Sequence, residues 1–141
     1  MAYPIEKIRN ICLLGHGGDG KTSLTESILF ANKVTDRLGK VSDGNTVSDY
    51  DPEEIKRSIS IQTSVCPVET SGHKINVLDA PGFFDFVGEV EEAVSVADAA
   101  IIVVNCKAGI EVGTEKAWEL CDKLKLPRII FVTNMDDDHA S

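Results

Sequence analysis

A glycine-rich loop near the start of the chain most strongly limits what it can fold into. The stretch GHGGDGKT (15–22) has four glycines within six positions and ends in a lysine and a hydroxyl residue. It follows the apolar run IRNICLLG (8–15), which predicts a buried strand, and precedes residues 21–32, where apolar residues recur at helical spacing. A loop of this kind between a strand and a helix indicates an α/β fold.

The loop fits the pattern G-x-x-x-x-G-K-[ST], which is typical of phosphate-binding loops. Glycines let the backbone curl so that several N–H groups face one hollow, and the following helix dipole also favours an anion there. Lys21 can reach the β- and γ-phosphates, and the Thr22 hydroxyl can bind Mg²⁺. We therefore expect a polyphosphate to contact Gly15, His16, Gly17, Gly18, Asp19, Gly20, Lys21, Thr22 and Ser23.

Composition and charge exclude several other classes of function. The 141 residues carry a net charge of −9, so bulk electrostatics do not favour direct nucleic-acid binding. No apolar stretch approaches the length of a membrane span, and the first residues, MAYPIEKIRN, have no apolar signal core. The four cysteines lack zinc-site or redox-pair spacing, which favours reduced, buried thiols and a cytoplasmic protein.

The order of predicted elements gives the fold class. We expect a three-layer α/β/α fold of the P-loop NTPase type, with a mostly parallel sheet and one antiparallel hairpin strand at its edge. Residues 33–57 are polar and predict a long loop. After it the sequence predicts strands at 58–69 and 73–79, a helix at 86–97, a strand at 99–106, a helix at 113–126 and a strand at 127–133.

Two further stretches predict contacts with a triphosphate. DAPG (79–82) follows a strand, where Asp79 could hold the magnesium shell and the N–H of Gly82 could meet the γ-phosphate. Ser60, at the end of the long polar loop, could complete the magnesium site and order the loop when a triphosphate binds. Thr22, Ser60 and Asp79 are therefore the candidate metal residues.

Taken in order, these motifs resemble those of elongation factor G, a translational GTPase. The matching stretches are GHGGDGKT (15–22), DGNTVSD (43–49), RSISI (57–61), DAPGFFDF (79–86) and PRIIFVTNMD (127–136). The resemblance implies binding of GTP or GDP with Mg²⁺, with Lys21 and Gly82 in catalytic roles. It implies action on the ribosome through the full-length protein. It adds Ala80, Pro81 and Phe83 to the nucleotide contacts.

Phe83 departs from the pattern of that family. The family has histidine at this position, where it positions the attacking water, whereas phenylalanine cannot form a hydrogen bond through its side chain. The chain is therefore similar to divergent elongation-factor-G-like paralogues, and we expect slow or impaired GTP hydrolysis. We expect His16, the neighbouring loop histidine, to pack locally rather than to replace the missing group.

The base-reading motif is also altered. Without gaps, the family motif N-K-M-D falls on Thr133, Asn134, Met135 and Asp136, and the Asp136 carboxylate could accept hydrogen bonds from guanine N1–H and the 2-amino group. A register shifted by one residue would instead use residues 134–137. We favour the first register and interpret Asp137 and Asp138 as a solvated acidic loop.

Several alternatives and expectations remain open at this point. The chain could be a non-hydrolysing nucleotide-sensing interaction module or an ATP-using P-loop enzyme. The resemblance implies that residues 1–141 are a truncated fragment of a GTP-binding domain from a longer multidomain chain, lacking a C-terminal strand and helix. Such a fragment would expose apolar surface.

Overall fold

A computed structural model describes residues 2–82 and 86–137. Five strands form one sheet: β1 (Ile8–Gly15), β2 (Ser64–Thr70), β3 (His73–Asp79), β4 (Ala99–Asn105) and β5 (Arg128–Thr133). Four α-helices surround it: α1 (Lys21–Ala31), α2 (Pro52–Arg57), α3 (Val87–Val96) and α4 (Val112–Leu124). None of the helices in these described ranges has the length and apolar character that crossing a membrane requires.

The sheet has the strand order β2-β3-β1-β4-β5. β1 pairs in parallel with β3 and β4, and β4 pairs in parallel with β5. Among the described residues, only the β2–β3 hairpin is antiparallel, and it places β2 at one edge. The predicted sheet, with a single antiparallel edge strand, is confirmed.

Apolar side chains pack on both faces of the sheet, which makes the fold three-layered. On one face, Leu13 and Val77 of the central strands pack with Leu29 of α1. On the other face, Ile102 of β4 packs among residues of α3 and α4, including Val90. The helices thus cover the sheet through their buried stripes, as the apolar spacing of the sequence predicts.

The region between α1 and β2 differs from the sequence-based prediction. The predicted loop at 33–57 contains a 3₁₀ turn at 41–43 and helix α2, whose first turn is capped by Asp51. The strand predicted from residue 58 begins only at Ser64. Ser58 ends α2 in the left-handed conformation, and the N–H groups of 61–63 hydrogen-bond to the acidic side chains of Glu54 and Glu89 instead of a neighbouring strand.

The inner face of α4 also differs in part from the spacing we expected. Ala117 and Cys121 are fully buried as predicted, but Trp118 and Leu124 are 43% and 50% exposed. The Arg128 guanidinium lies 3.9 Å from the centre of the Trp118 ring, so this indole lies over a cation at the surface. The buried stripe of α4 runs instead through Thr114, Ala117 and Cys121.

Strand β5 presents an apolar surface to solvent. Its residues Ile129, Ile130, Phe131 and Val132 are between 42% and 61% exposed. Four consecutive apolar side chains with this exposure agree with the apolar surface expected from the sequence.

Replacing Ile102 with alanine should strongly destabilise the fold. Ile102 has no exposed surface and lies between the sheet and helices α3 and α4, so the substitution leaves a cavity. We expect the free energy of unfolding to fall by about 2–5 kcal/mol, measured by urea denaturation. In the matched control Val65→Ala, at a side chain that is 60% exposed on β2, the loss should stay below about 1 kcal/mol. Equal losses in both variants would contradict the placement of the core.

Candidate nucleotide-binding site

The glycine-rich loop runs from the end of β1 to the first residue of α1. Gly15, Gly18 and Gly20 have φ angles of 145°, 92° and 93°, which side chains strongly disfavour. A Cβ on Gly15 would lie 2.5 Å from the backbone carbonyl oxygen of Val103, so this position accepts only glycine. Gly20 precedes α1 and has no side chain to cap it, which leaves the first N–H groups of the helix available to an anion.

Lys21 lies inside the curve of this loop. Its side chain is nearly buried, and its ammonium donates a hydrogen bond of 2.7 Å to the carbonyl oxygen of His16. The cation is therefore held against the loop backbone, where a phosphate entering the loop would meet it.

The His16 side chain faces helix α4 rather than the loop. Its Nε2 atom lies 3.7 Å from Oε1 of Glu111, which precedes the helix. A Cβ on Gly113 would lie 2.7 Å from Cα and Nδ1 of His16, so the ring packs directly on the first turn of α4. The expectation that His16 packs locally is confirmed, and its predicted nucleotide contact would use the backbone.

Oxygen-bearing side chains gather beside the start of α1. The hydroxyls of Thr22 and Ser60 are 3.1 Å apart, and Ser60 donates a hydrogen bond of 2.6 Å to Oδ1 of Asp49. The structure thus joins two of the three candidate metal residues and adds Asp49, which the sequence analysis did not assign. The second aspartate of the DGNTVSD stretch was the signal that could have identified it.

Asp79 ends β3 as a completely buried carboxyl group. Neither of its carboxyl oxygens has a hydrogen bond that meets normal distance and angle limits within the described part of the chain. Burial raises the pKa of Asp79 to about 6, although the nearby Ser48 and Thr22 hydroxyls act in the opposite direction. A cation bound beside Thr22 would favour the charged carboxylate and so remove the cost of burying it.

Two other aspartates of the site have raised pKa values for the same main reason. Burial raises the pKa of Asp49, although the hydrogen bond from Ser60 opposes this. Burial also raises the pKa of Asp19, which accepts a hydrogen bond from the His16 N–H and lies near Glu111. The site thus concentrates negative charge that a bound cation would offset.

Glu54 of α2 holds the segment that carries Ser60. Its buried carboxylate accepts hydrogen bonds from the N–H groups of Ile61 and Gln62 at 3.0 and 3.1 Å. The same carboxylate accepts the Asp51 N–H at 3.1 Å. One side chain therefore fixes both the start of α2 and the residues directly after Ser60.

Two further carboxylates accept backbone N–H groups before and after the segment that Glu54 holds. Glu26, buried on α1, accepts the Val47 N–H at 2.5 Å and packs so closely on Gly39 that a Cβ there would lie 2.3 Å from it. Glu89 on α3 accepts the Thr63 N–H at 2.7 Å. Sequence reasoning missed these anchors because isolated acidic residues on helices give no pattern that distinguishes them from solvated ones.

These elements enclose a cleft of about 240 Å³. Ala80 and Pro81 are buried behind its wall, and Gly82 reaches it. A larger, open depression of about 930 Å³ beyond the end of α1 includes none of the predicted residues. Residues that line the cleft include Gly17, Gly18, Gly20, Lys21, Thr22, Ser23, Asp49, Ser60 and Gly82.

The predicted base-reading segment follows β5 and contacts the glycine-rich loop. Thr133 donates a hydrogen bond of 2.7 Å to the carbonyl oxygen of Asp19, although the two residues are 114 positions apart. Met135 and Asp136 are exposed. Asp137 is less solvated than we expected, because its carboxylate lies 3.7 Å from the Lys107 ammonium. Phe83 and Asp138 lie outside the described residues.

Replacing Asp79 with asparagine should weaken the pH dependence of stability in the nucleotide-free protein. Aspartate in an unfolded chain titrates near pH ~3.9, whereas folding raises the pKa of Asp79 to about 6. The contribution of this group to stability is therefore greatest below the unfolded value and is lost as the pH rises through about 6. Between pH 5 and 7.5, the variant should lose on the order of 1 kcal/mol less than the wild type.

Urea denaturation without nucleotide or magnesium at both pH values measures this difference. Asp36→Asn, at an exposed aspartate in the loop after α1, is the matched control and should keep the wild-type profile. An Asp79→Asn profile identical to that of the wild type would contradict the buried, protonated carboxyl group.

Comparisons with known proteins agree with this geometry. The elongation factor Tu GTP-binding domain family matches residues 6–141. Over 138 residues the chain is 42% identical to ribosome-releasing factor 2, mitochondrial, of Rattus norvegicus, and over 133 residues it is 41% identical to elongation factor G 2 of Streptomyces coelicolor. These matches cover 98% and 94% of this chain but only 18% and 19% of the relatives, so the chain spans less than a fifth of their length.

Solved structures show the same fold. A protein of Thermus thermophilus superposes with a TM-score of 0.89 at 45% identity, covering 92% of this chain and 20% of that one. The translation elongation factor SelB of Methanococcus maripaludis, solved with the GTP analogue GppNHp, superposes with a TM-score of 0.69. At 24% identity, with 96% of this chain and 23% of that one covered, this second likeness shows the fold alone. The chain belongs to the elongation factor Tu GTP-binding domain family and is a P-loop GTP-binding domain of the type found in elongation-factor-G-like translational GTPases.

Proposed function

We propose that this domain binds GTP and GDP together with Mg²⁺ and serves as the nucleotide switch of an elongation-factor-G-like factor that acts on the ribosome with slow intrinsic hydrolysis. The observation that carries this proposal is a single cleft at the glycine-rich loop. Lys21, the Thr22–Ser60 hydroxyl pair and Gly82 all line it.

The phosphates would occupy the glycine-rich loop. The curled backbone at 15–20 and the uncapped start of α1 offer N–H donors, and the Lys21 ammonium is already held inside the loop. Binding would exchange the contact between this ammonium and the His16 carbonyl for contacts with phosphate oxygens. The Gly82 N–H would meet the γ-phosphate, which is the group that distinguishes GTP from GDP.

Magnesium would lie between the phosphates and the hydroxyl pair. Thr22 and Ser60 are 3.1 Å apart and could both turn toward one cation, while Asp79 and Asp49 would hold its water ligands. This donor set suits a hard cation because it consists of hydroxyl and carboxylate oxygens. When bound, the ion would offset the charge that builds up on the phosphates during transfer.

Loss of the γ-phosphate would release Ser60 from the site. Ser60 contacts the magnesium site through a hydroxyl alone, whereas its neighbours Ile61 and Gln62 are anchored independently by Glu54. Ser60 could therefore leave the site while the remainder of the segment stays attached. An order–disorder change of this kind is how GTPases expose different surfaces in their two states.

The ribosome is the proposed partner because of the relatives, whose printed names are ribosome-releasing factor 2 and elongation factor G. Contacts with the ribosome would involve parts of such proteins that this chain does not span. The acidic charge of the domain disfavours strong direct binding to RNA by the domain itself.

Slow hydrolysis is proposed because of Phe83. At the family position for the residue that orients water, the phenyl group can neither accept nor donate a proton. His16 is unsuited as a substitute, because its ring packs on Gly113 and pairs with Glu111. The second candidate is a nucleotide-sensing module that never hydrolyses GTP. Phe83 supports this candidate as well.

The role of Asp136 in base specificity can be tested by substitution. If Asp136 reads guanine, Asp136→Asn should lower GDP affinity by about tenfold to a hundredfold and raise affinity for xanthosine diphosphate. The reason is that xanthine has a carbonyl oxygen where guanine has an amino group, and an amide can donate to it. Asp137→Asn is the matched control and should leave GDP affinity within about threefold, because Asp137 pairs with Lys107.

Calorimetric titration of both variants with GDP, xanthosine diphosphate and ADP distinguishes the two registers. A switch to xanthosine diphosphate in Asp137→Asn instead would assign the base to residues 134–137. No change in either variant would contradict guanine reading by this segment.

The role of Phe83 in hydrolysis can also be tested by substitution. Phe83→His should raise single-turnover GTP hydrolysis by about tenfold or more, because an imidazole at this position can orient the attacking water. Phe83→Leu, which is equally unable to form a hydrogen bond, is the control and should hydrolyse GTP no faster than the wild type. A histidine variant with wild-type turnover and unchanged GTP affinity would favour the non-hydrolysing module.

A further inference from the structure

Cys106 lies directly after β4, at the sheet edge where the base-reading segment begins. Its thiol donates a hydrogen bond of 2.8 Å to the carbonyl oxygen of Asn134, and its N–H donates one of 3.1 Å to the carbonyl oxygen of Thr133. The side chain is half-buried, whereas Cys12, Cys66 and Cys121 are buried. One residue therefore contacts two successive carbonyl groups of the neighbouring segment.

The segment that Cys106 contacts has an unfavourable backbone. Asn134 has a φ angle of 56°, in the left-handed region, which costs free energy at a residue with a side chain. Its carbonyl oxygen also accepts the N–H of Asp137 at 3.1 Å, which closes a turn over 134–137. Within this turn Met135 and Asp136 project into solvent, so contacts at its two ends must set the position of Asp136.

Both ends of the turn contact adjacent residues of the connection between β4 and α4. At the first end, the Cys106 thiol meets the Asn134 carbonyl. At the second end, the Lys107 ammonium lies 3.7 Å from the Asp137 carboxylate. The Lys107 side chain is more than half exposed, so solvent screens this ion pair, and the half-buried thiol contact is a second, separate constraint on the turn.

We propose that Cys106 is a positioning residue for guanine recognition. It acts without touching the base, by holding the Asn134 carbonyl so that the turn presents the Asp136 carboxylate toward N1–H and the 2-amino group. The inference rests on the proposed function, since it concerns the same site. It adds a specificity role for a residue that the phosphate, magnesium and hydrolysis steps do not use.

The test compares affinities for GDP and inosine diphosphate, which lacks the 2-amino group. Cys106→Val removes the donor at similar volume, so the ratio of GDP to inosine diphosphate affinity should fall by about threefold to tenfold. Cys106→Ser keeps a donor and should retain most of the wild-type ratio. Ser95→Ala, which removes a 2.7 Å hydrogen bond from a hydroxyl to a backbone carbonyl on α3, should leave the ratio unchanged.

The outcomes distinguish a failed positioning role of Cys106 from a failed proposed function. A wild-type protein that prefers GDP, with the same ratio in Cys106→Val, overturns the positioning role and leaves the proposed function intact. A wild-type protein that binds GDP and ADP equally overturns the proposed function and the positioning role together. A lower ratio in both Cys106→Val and Cys106→Ser also overturns the role, because the serine variant keeps a donor.

Alkylation of the wild-type protein tests the same contact even if the valine variant does not fold. Iodoacetamide should modify Cys106 first, since the other three thiols are buried. Saturating GDP should slow this modification at least about threefold by tightening the turn against the thiol, whereas ADP should not. Peptide mass spectrometry gives the rate at each cysteine, and a Cys106 rate that GDP leaves unchanged overturns the proposal.

Discussion

The parallel pairing of four strands is the constraint on which the remaining features of this domain depend. The register matches Leu13 of β1 with Asp79 of β3, and Gly15 with Val103 of β4. Because the carboxyl ends of parallel strands meet at one edge of a sheet, the segments that follow them lie side by side. The glycine-rich loop, Asp79, Cys106 and Thr133 are neighbours for this reason, although they are far apart in the sequence.

Two groups of carboxylates in this region behave differently. Glu26, Glu54 and Glu89 each accept at least one backbone N–H, and such charge-assisted hydrogen bonds contribute about 1.5–3 kcal/mol each. They replace the strand pairing that the polar loop lacks. Asp79, in contrast, is buried and accepts no hydrogen bond of normal geometry within the described residues, and burial raises its pKa, which is a cost in the absence of a cation.

This contrast supports the proposal that the loop is ordered and yet can release Ser60. Its anchors lie at Val47, on either side of α2 and at Thr63. Ser60, which contacts the Thr22 hydroxyl, lies between anchored neighbours. A ligand that recruits Ser60 therefore changes a short segment and need not refold the remainder of the loop.

The sequence predicted the parts of the site that depend on local backbone geometry. The glycines at 15–20 could be identified because only glycine tolerates the φ angles and the close approach to Val103. The mostly parallel sheet with one antiparallel edge strand followed from the alternation of strands and helices and from the hairpin signal, whereas the strand order did not. The late start of β2 was missed because a side chain distant in the sequence, Glu89, accepts the Thr63 N–H. Helix α2 has local signals, a capping box between Asp51 and Glu54 and a proline at its first position, that the sequence analysis did not use. The exposure of Trp118 was missed because helical spacing does not show which side of an apolar stripe meets the sheet.

Contacts between distant segments limited the prediction of the base-reading site as well. The hydrogen bond from Thr133 to Asp19 and the thiol contact of Cys106 join residues with no common motif. The sequence predicts a carboxylate at Asp136, but only the structure shows that it lies in a turn over 134–137 whose Asn134 carbonyl is held by Cys106. Asp137 likewise looks like one of three successive acidic residues until Lys107 is found beside it.

The central claim is that one cleft holds a guanine nucleotide by its phosphates and, through Mg²⁺, by the Thr22–Ser60 pair. Calorimetric titration of the unmodified protein with GTP, GDP and ATP, each with and without Mg²⁺, tests this claim most directly. The account predicts saturable binding of GTP and GDP, at least about tenfold weaker binding of ATP, and a larger loss of GTP than of GDP affinity when Mg²⁺ is removed. Equal affinities for GTP and ATP, or affinities that do not respond to Mg²⁺, would contradict it.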